Sequence, residues 1–142
     1  MIEMFALNAT DVRKDWGGFI DSVVREKPKI IKRSRDFILA TSLQQMKELL
    51  KAYTFTAEIE KSDEDTYAGS LGEIDIVEAG ATYEEVIENL AKGLMEYSED
   101  YYERFEKWYP APNRKPHLPY VLNVLCQDDL EGVKKLINAK ME

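Results

Sequence analysis

The 142-residue chain holds one cysteine and one histidine, and that scarcity removes several chemistries at once. With Cys126 alone, no disulfide can form within the chain, which fits a reducing cytoplasm. Zinc sites need clustered cysteine and histidine ligands, which one of each cannot supply. Nucleophilic hydrolysis usually needs a histidine base, and His117 sits between Pro116 and Leu118 in what reads as a surface loop. Cys126 ends an apolar run, the setting of a small buried hydrophobe rather than a nucleophile. A glycine-rich phosphate loop is missing too, since Gly17-Gly18 lies inside a helical pattern rather than after a strand. No apolar run approaches the ~18 residues of a membrane span. The opening Met1-Ile2-Glu3-Met4-Phe5 lacks the basic and apolar regions of a secretory signal. These absences predict a soluble cytoplasmic protein with no membrane partner, no metal, no cofactor and no catalytic residues.

What the chain does have is charge, unevenly placed. Its net charge is −8, yet residues 1–53 carry ten basic and seven acidic residues, a net of +3. The remainder carries nine basic and twenty acidic residues, a net of −11. Opposite halves suggest surfaces for different partners: a basic segment can meet phosphate, and an acidic one attracts basic proteins. Hydrophobic content of 44% is enough to build a core, so global disorder is not expected.

Residues 3–8 predict a short strand, with Met4, Phe5 and Leu7 apolar. A helix follows over residues 10–25, with Val12, Trp16, Phe19, Ile20, Val23 and Val24 at three-to-four spacing. Thr10 is its expected N-cap, which puts Arg13 and Lys14 near the positive end of the helix dipole. That placement opposes stability, and contact with phosphate would explain it. Residues 29–33 and 37–41 predict a hairpin around Ser34-Arg35-Asp36, with Lys29, Lys32, Arg33 and Arg35 concentrated toward its tip. Ser42 and Gln45 form a capping box that opens a second helix. The order is β-α-β-β-α.

The second half restarts with strand character. Phe55, Ala57 and Ile59 alternate with Thr56, Glu58 and Glu60, and residues 66–71 can return antiparallel across a charged turn. Ile74, Ile76 and Val77 predict a third strand, with Glu73 and Asp75 on one side of it. Thr82 and Glu85 make a capping box for the longest helix, striped by Val86, Leu90, Leu94, Tyr97, Tyr101, Phe105 and Trp108 and ended by Pro110. Residues 120–126 predict a strand, and Asp128 with Glu131 an N-terminus for a last helix carrying Val133 and Ile137. This order is β-β-β-α-β-α. The fold class is therefore α+β, with a boundary near residue 52 that no glycine- or proline-rich linker marks. The expected domains are residues 1–52 and 53–142.

Carboxylates are plentiful but poorly arranged for catalysis. Asp63-Glu64-Asp65 reads as an acidic turn and lacks the glycine and distal glutamate of a calcium loop. Glu73 and Asp75 are two candidate metal ligands where a metal-dependent nuclease needs several. No enzyme is expected.

The residues Asn8-Ala-Thr-Asp-Val-Arg-Lys-Asp-Trp16 and Pro28-Lys-Ile-Ile-Lys-Arg-Ser-Arg-Asp-Phe-Ile-Leu-Ala-Thr-Ser42 resemble the N-terminal domain of Phd/YefM antitoxins in element order, length and charge placement. Val12, Trp16 and Ser34 depart from that family's usual alanine, leucine and turn glycine. The likeness implies a homodimer or higher homo-oligomer that binds operator DNA through the early helix and the hairpin. The residues at those positions are Arg13, Lys14, Lys32, Arg33 and Arg35. From Thr54 to Ala68, and again from Ile76-Val-Glu-Ala-Gly-Ala-Thr-Tyr-Glu-Glu-Val-Ile-Glu-Asn-Leu90, the chain resembles HicB-like antitoxins. That family has a degenerate, non-catalytic ribonuclease-H-like fold. The resemblance implies binding of a small basic toxin, a ribonuclease, by an acidic surface for which Glu58, Glu73 and Asp75 are the candidates. Together they imply a type II antitoxin that also represses its own operator. The alternative is a protein-interaction module of the same folds without a DNA role. An active ribonuclease-H-like enzyme ranks third.

Overall fold

Asn8 rather than Thr10 starts the first helix. In the computed structural model, which describes residues 1–62 and 64–141, the Asn8 side chain accepts the Thr10 N–H at 2.8 Å. The strand expected over residues 3–8 shrinks to β1 (Leu7–Asn8), preceded by a 3-10 turn over Ile2–Phe5. Helix α1 (Ala9–Lys14) stops after six residues. There Asp15 leaves helical geometry, and its carboxylate accepts the Gly18 N–H at 3.2 Å, capping α2 (Trp16–Arg25). A short acidic side chain that bonds nearby backbone competes with helix continuation, so the single helix predicted over 10–25 is two. A Cβ at position 18 would lie 2.3 Å from the Asp15 carboxylate, so a larger residue there would displace the cap.

Strand β2 (Lys29–Arg33) pairs parallel with β1 and antiparallel with β3 (Asp36–Ala40), giving a three-stranded sheet of order β1-β2-β3. The predicted capping box opens α3 (Leu43–Leu50): Ser42 Oγ accepts the Gln45 N–H at 3.1 Å, and Gln45 Oε1 accepts the Ser42 N–H at 3.5 Å. The chain divides into two compact units, Met1–Leu49 and Leu50–Glu142.

The second unit is built on β4 (Phe55–Lys61), which pairs antiparallel with β5 (Tyr67–Leu71). Strand β5 pairs in turn with β6 (Val77–Gly80), also antiparallel. Alternation works as expected here: Phe55, Ala57 and Ile59 are buried, while Glu58 and Glu60 are exposed. Helix α4 (Tyr83–Glu103) begins where Thr82 Oγ1 accepts the Glu85 N–H at 3.1 Å. Its buried stripe of Val86, Leu90, Ala91 and Leu94 packs on the face of the sheet that carries Phe55 and Ile59. A break at Arg104 separates it from α5 (Phe105–Trp108).

Beyond residue 110 two elements exchange identity relative to the sequence reading. Residues expected as a strand form α6 (Leu118–Leu125), started by Pro119 in its first turn. The expected last helix is only α7 (Leu130–Lys134), capped by Asp129 rather than Asp128, with the Gly132 N–H at 2.9 Å. The chain then becomes β7 (Ile137–Met141), parallel to β4, with Phe55 opposite Ile137. The sheet order is β6-β5-β4-β7. The class remains α+β, but the element order of this unit is β-β-β-α-α-α-α-β. Pairing with β4 gives the otherwise open side of that strand its hydrogen-bond partners and buries Ile137 against the core.

Candidate nucleic-acid interface and acidic surface

The β2–β3 hairpin turns tightly through Ser34 and Arg35, with Arg33 paired to Asp36 in register. Ser34 takes the turn's left-handed conformation at φ 54°, doing without the glycine that relieves strain at such positions. Arg33 and Arg35 are both exposed at this tip. Neither forms an ion pair or side-chain hydrogen bond among the described residues, and the same holds for exposed Arg13 on α1.

The lysines nearby differ. Lys14 lies 3.7 Å from Asp11, and Lys29 lies 3.0 Å from Glu26. Lys32 is hydrogen-bonded to Glu3 and sits 5.5 Å from the Phe37 ring centroid. That bond, and then the lysine's charge, hold the Glu3 carboxyl below its ordinary range. Lys32 is therefore committed within its own unit, while the three arginines keep all their donors.

Helix α1 also changes the meaning of Arg13 and Lys14. Because the helix ends at Lys14, both residues lie in its last turn, not its first. Cations suit the negative end of a helix dipole, so the expected cost at the positive end does not arise.

The expected acidic residues do not share one surface feature. Glu58 stands on the face of β4 away from the helices, beside Ser70 and Lys140 in register. Glu73 is not on a strand. It occupies the bend between β5 and β6, where its Oε1 accepts the Thr56 N–H at 2.8 Å and completes a ladder position that the chain leaves open. Asp75 lies in the same connection, highly exposed and 4.0 Å from Arg114. The predicted strand face holding Glu73 and Asp75 together does not form, because pairing in β6 starts only at Val77. Of the acidic turn expected over 63–65, Asp63 lies outside the described residues, while Asp65 turns the chain at φ 57° and pairs with Lys61 at 3.3 Å. Among the described residues, no three His, Cys, Asp or Glu side chains lie together as a metal site would need.

His117 is not a surface residue. It is buried in a 3-10 turn, with Nδ1 2.7 Å from the Tyr97 hydroxyl, and burial lowers its pKa from the ordinary histidine value. The same loop is fastened by the Tyr101 hydroxyl, which donates to the Arg114 carbonyl at 2.6 Å. Burial raises both tyrosines above their usual range. The Arg114 guanidinium lies 5.9 Å from the Tyr97 ring centroid and 5.7 Å from that of Trp108. This cluster was missed in the sequence, where Pro116-His117-Leu118 carries only a loop signal.

Two comparisons bear on the whole chain. Residues 1–139 match a PHD-like family whose description is antitoxin of toxin–antitoxin, RelE/RelB, TA system. A crystal structure from Syntrophomonas wolfei subsp. wolfei, assigned as the antitoxin part of a toxin/antitoxin system, superposes with a TM-score of 0.92 at 42% sequence identity. The match covers 96% of this chain and 99% of that one. No curated protein sequence matches the chain. Among the described residues, no helix is long and apolar enough to cross a membrane.

Proposed function

Because the chain belongs to the PHD-like family of toxin–antitoxin antitoxins, we propose that it divides two tasks between its two units. The N-terminal unit, Phd/YefM-like, binds operator DNA as a homodimer and represses its own transcription. The C-terminal unit, HicB-like, neutralises a small basic ribonuclease toxin in the cytoplasm and performs no catalysis.

The observation that carries this reading is the trio Arg13, Arg33 and Arg35, exposed and uncommitted while Lys14, Lys29 and Lys32 are paired. An arginine whose five donors are all available can make phosphate contacts that position a protein. It can also make paired bonds to guanine, worth about 1–3 kcal/mol of discrimination each. Support for a dimer comes from α2. Trp16, Ile20 and Val24 recur every four residues on one of its faces and are 58%, 42% and 58% exposed. A self-associating unit would cover such a stripe.

The test is a band-shift titration with DNA from upstream of the chain's own reading frame. Arg33→Ala is expected to weaken binding at least tenfold with an unchanged melting temperature. Wild-type affinity should fall with salt at a logarithmic slope of about 0.9 per phosphate contacted. Unchanged affinity in Arg33→Ala and in Arg35→Ala would remove the hairpin from the interface. Absence of binding even in dilute buffer favours the protein-interaction alternative.

A further inference from the structure

The four-stranded sheet ends at β6, which has β5 on one side and, among the described residues, no strand on the other. Ile76 directs its carbonyl inward, to the Leu71 N–H at 3.1 Å. Backbone groups alternate sides along an antiparallel strand, so Val77 and Ala79 present theirs outward. The Ala79 carbonyl is taken by the Asn89 side-chain amide at 2.9 Å. Among the described residues the Val77 N–H and C=O and the Ala79 N–H have no partner and form an open ladder, and the Val77 side chain beside them is 72% exposed. An unprotected edge of this kind is a template for another strand.

A shallow, wide-open cleft of about 480 Å³ runs alongside, between Ile76 and Glu78 of the strand side and Gly93, Glu96 and Tyr97 of α4. Gly93 keeps its floor low, since a Cβ there would come within 3.2 Å of Ile76 and 3.3 Å of Glu78 Oε1. Glu78 and Glu96 form no ion pair among the described residues. Arg114, lying over Tyr97 and 4.0 Å from Asp75, illustrates the chemistry this region accepts: a guanidinium on an aromatic face beside a carboxylate.

We propose that the outer edge of β6, with this cleft, docks an extended basic segment of the toxin. The segment would add as a strand and place one arginine or lysine side chain between Glu78 and Glu96. The proposal rests on the reading that the C-terminal unit holds a basic toxin, and it names where. Main-chain bonds to the edge would supply affinity, and the cleft would select a cation at one alternate position. Charge complementarity decides the occupant. A second copy of this chain pairing β6 against β6 would bring the same carboxylates together, which costs free energy.

Calorimetric titration of the full chain with the protein encoded by the adjacent reading frame tests it. Val77→Pro deletes an outward donor without removing a bond to β5, and is expected to weaken toxin binding at least tenfold. The double variant E78Q/E96Q keeps side-chain size, and is expected to weaken binding about tenfold in dilute buffer, with the deficit shrinking at high salt. Thermal melts report folding, and if Val77→Pro melts early, E78Q/E96Q decides. Wild-type affinity in both variants overturns this site while leaving toxin binding intact. Loss of self-association in Val77→Pro, with toxin binding unchanged, also overturns it by making the edge an interface between copies. No binding by the unmodified chain overturns the underlying reading, and this proposal falls with it.

Discussion

In the C-terminal unit a dozen buried apolar residues, from Phe55 to Ile137, form one core under a four-stranded sheet. In the N-terminal unit Val12, Phe19 and Val23 are the buried cluster, with only Ile31 and Ala40 packed against it. Meanwhile Phe37, Ile38 and Leu39 on β3 are all more than two-fifths exposed. A unit of about fifty residues buries too little surface to be more than marginally stable alone. The contrast teaches that one half of this chain is complete as folded, whereas the other presents the apolar surface that association would cover.

The contrast can be broken first at its strongest point. Leu90→Ala, in the fully buried core, is expected to cost about 2–5 kcal/mol, read as a lower denaturation midpoint that does not depend on protein concentration. A cost no larger than that of a surface substitution would erase the difference between the units. Next comes the exposed stripe. Ile20→Asp is expected to weaken self-association by ten- to a hundredfold in sedimentation experiments, since burying an isoleucine contributes about 1.5–3 kcal/mol. Unchanged association would move the dimer contact elsewhere.

Tyr97→Phe leaves the buried His117 Nδ1 without its partner, at a cost of about 1–3 kcal/mol. The histidine also gives the C-terminal unit a pH signature. Burial, and then Arg114, hold its folded pKa below the unfolded value, so the unfolded chain binds the proton more readily. Stability from this group is complete above about pH 6.5 and declines as the pH falls below it. His117→Gln is expected to flatten melting temperature against pH over that range, and a slope equal to wild type would exclude His117 as its source. The smallest effect is Ser42→Ala, about 1 kcal/mol from a lost helix cap, detectable in the N-terminal transition alone.

Much of the fold was legible where a local signal had no competitor. The Ser42–Gln45 box, the Thr82 cap and the alternation from Phe55 to Ile59 each form as read. Residues 120–126 were not legible. Seven residues, apolar but for Asn123, have no resolvable period, and only the burial of Val121, Asn123 and Val124 among helices decides it. Ile137-Asn-Ala-Lys-Met looks like a helical tail, and its strand exists because β4 offers an unpaired side.

For the candidate sites, the hairpin arginines could be read from turn chemistry. The end of α1 could not, because it depends on Asp15 preferring the Gly18 N–H to helix continuation. Lys32 reads as one more cation until Glu3, twenty-nine residues away in sequence, is seen to hold it. The same limit applies to Glu73, whose bond to the Thr56 backbone spans seventeen residues.

The parallel pairing of β7 with β4 sets the timetable by which the chain can mature. Phe55 meets Ile137 across about eighty residues of intervening sequence, a non-local closure of the kind that slows folding. On a translating ribosome the N-terminal unit has every strand it needs once residue 40 emerges. The acidic unit must wait with one side of its central strand bare until almost all of it has been synthesised. Such an interval is when a nascent chain is most open to aggregation or to chaperone capture.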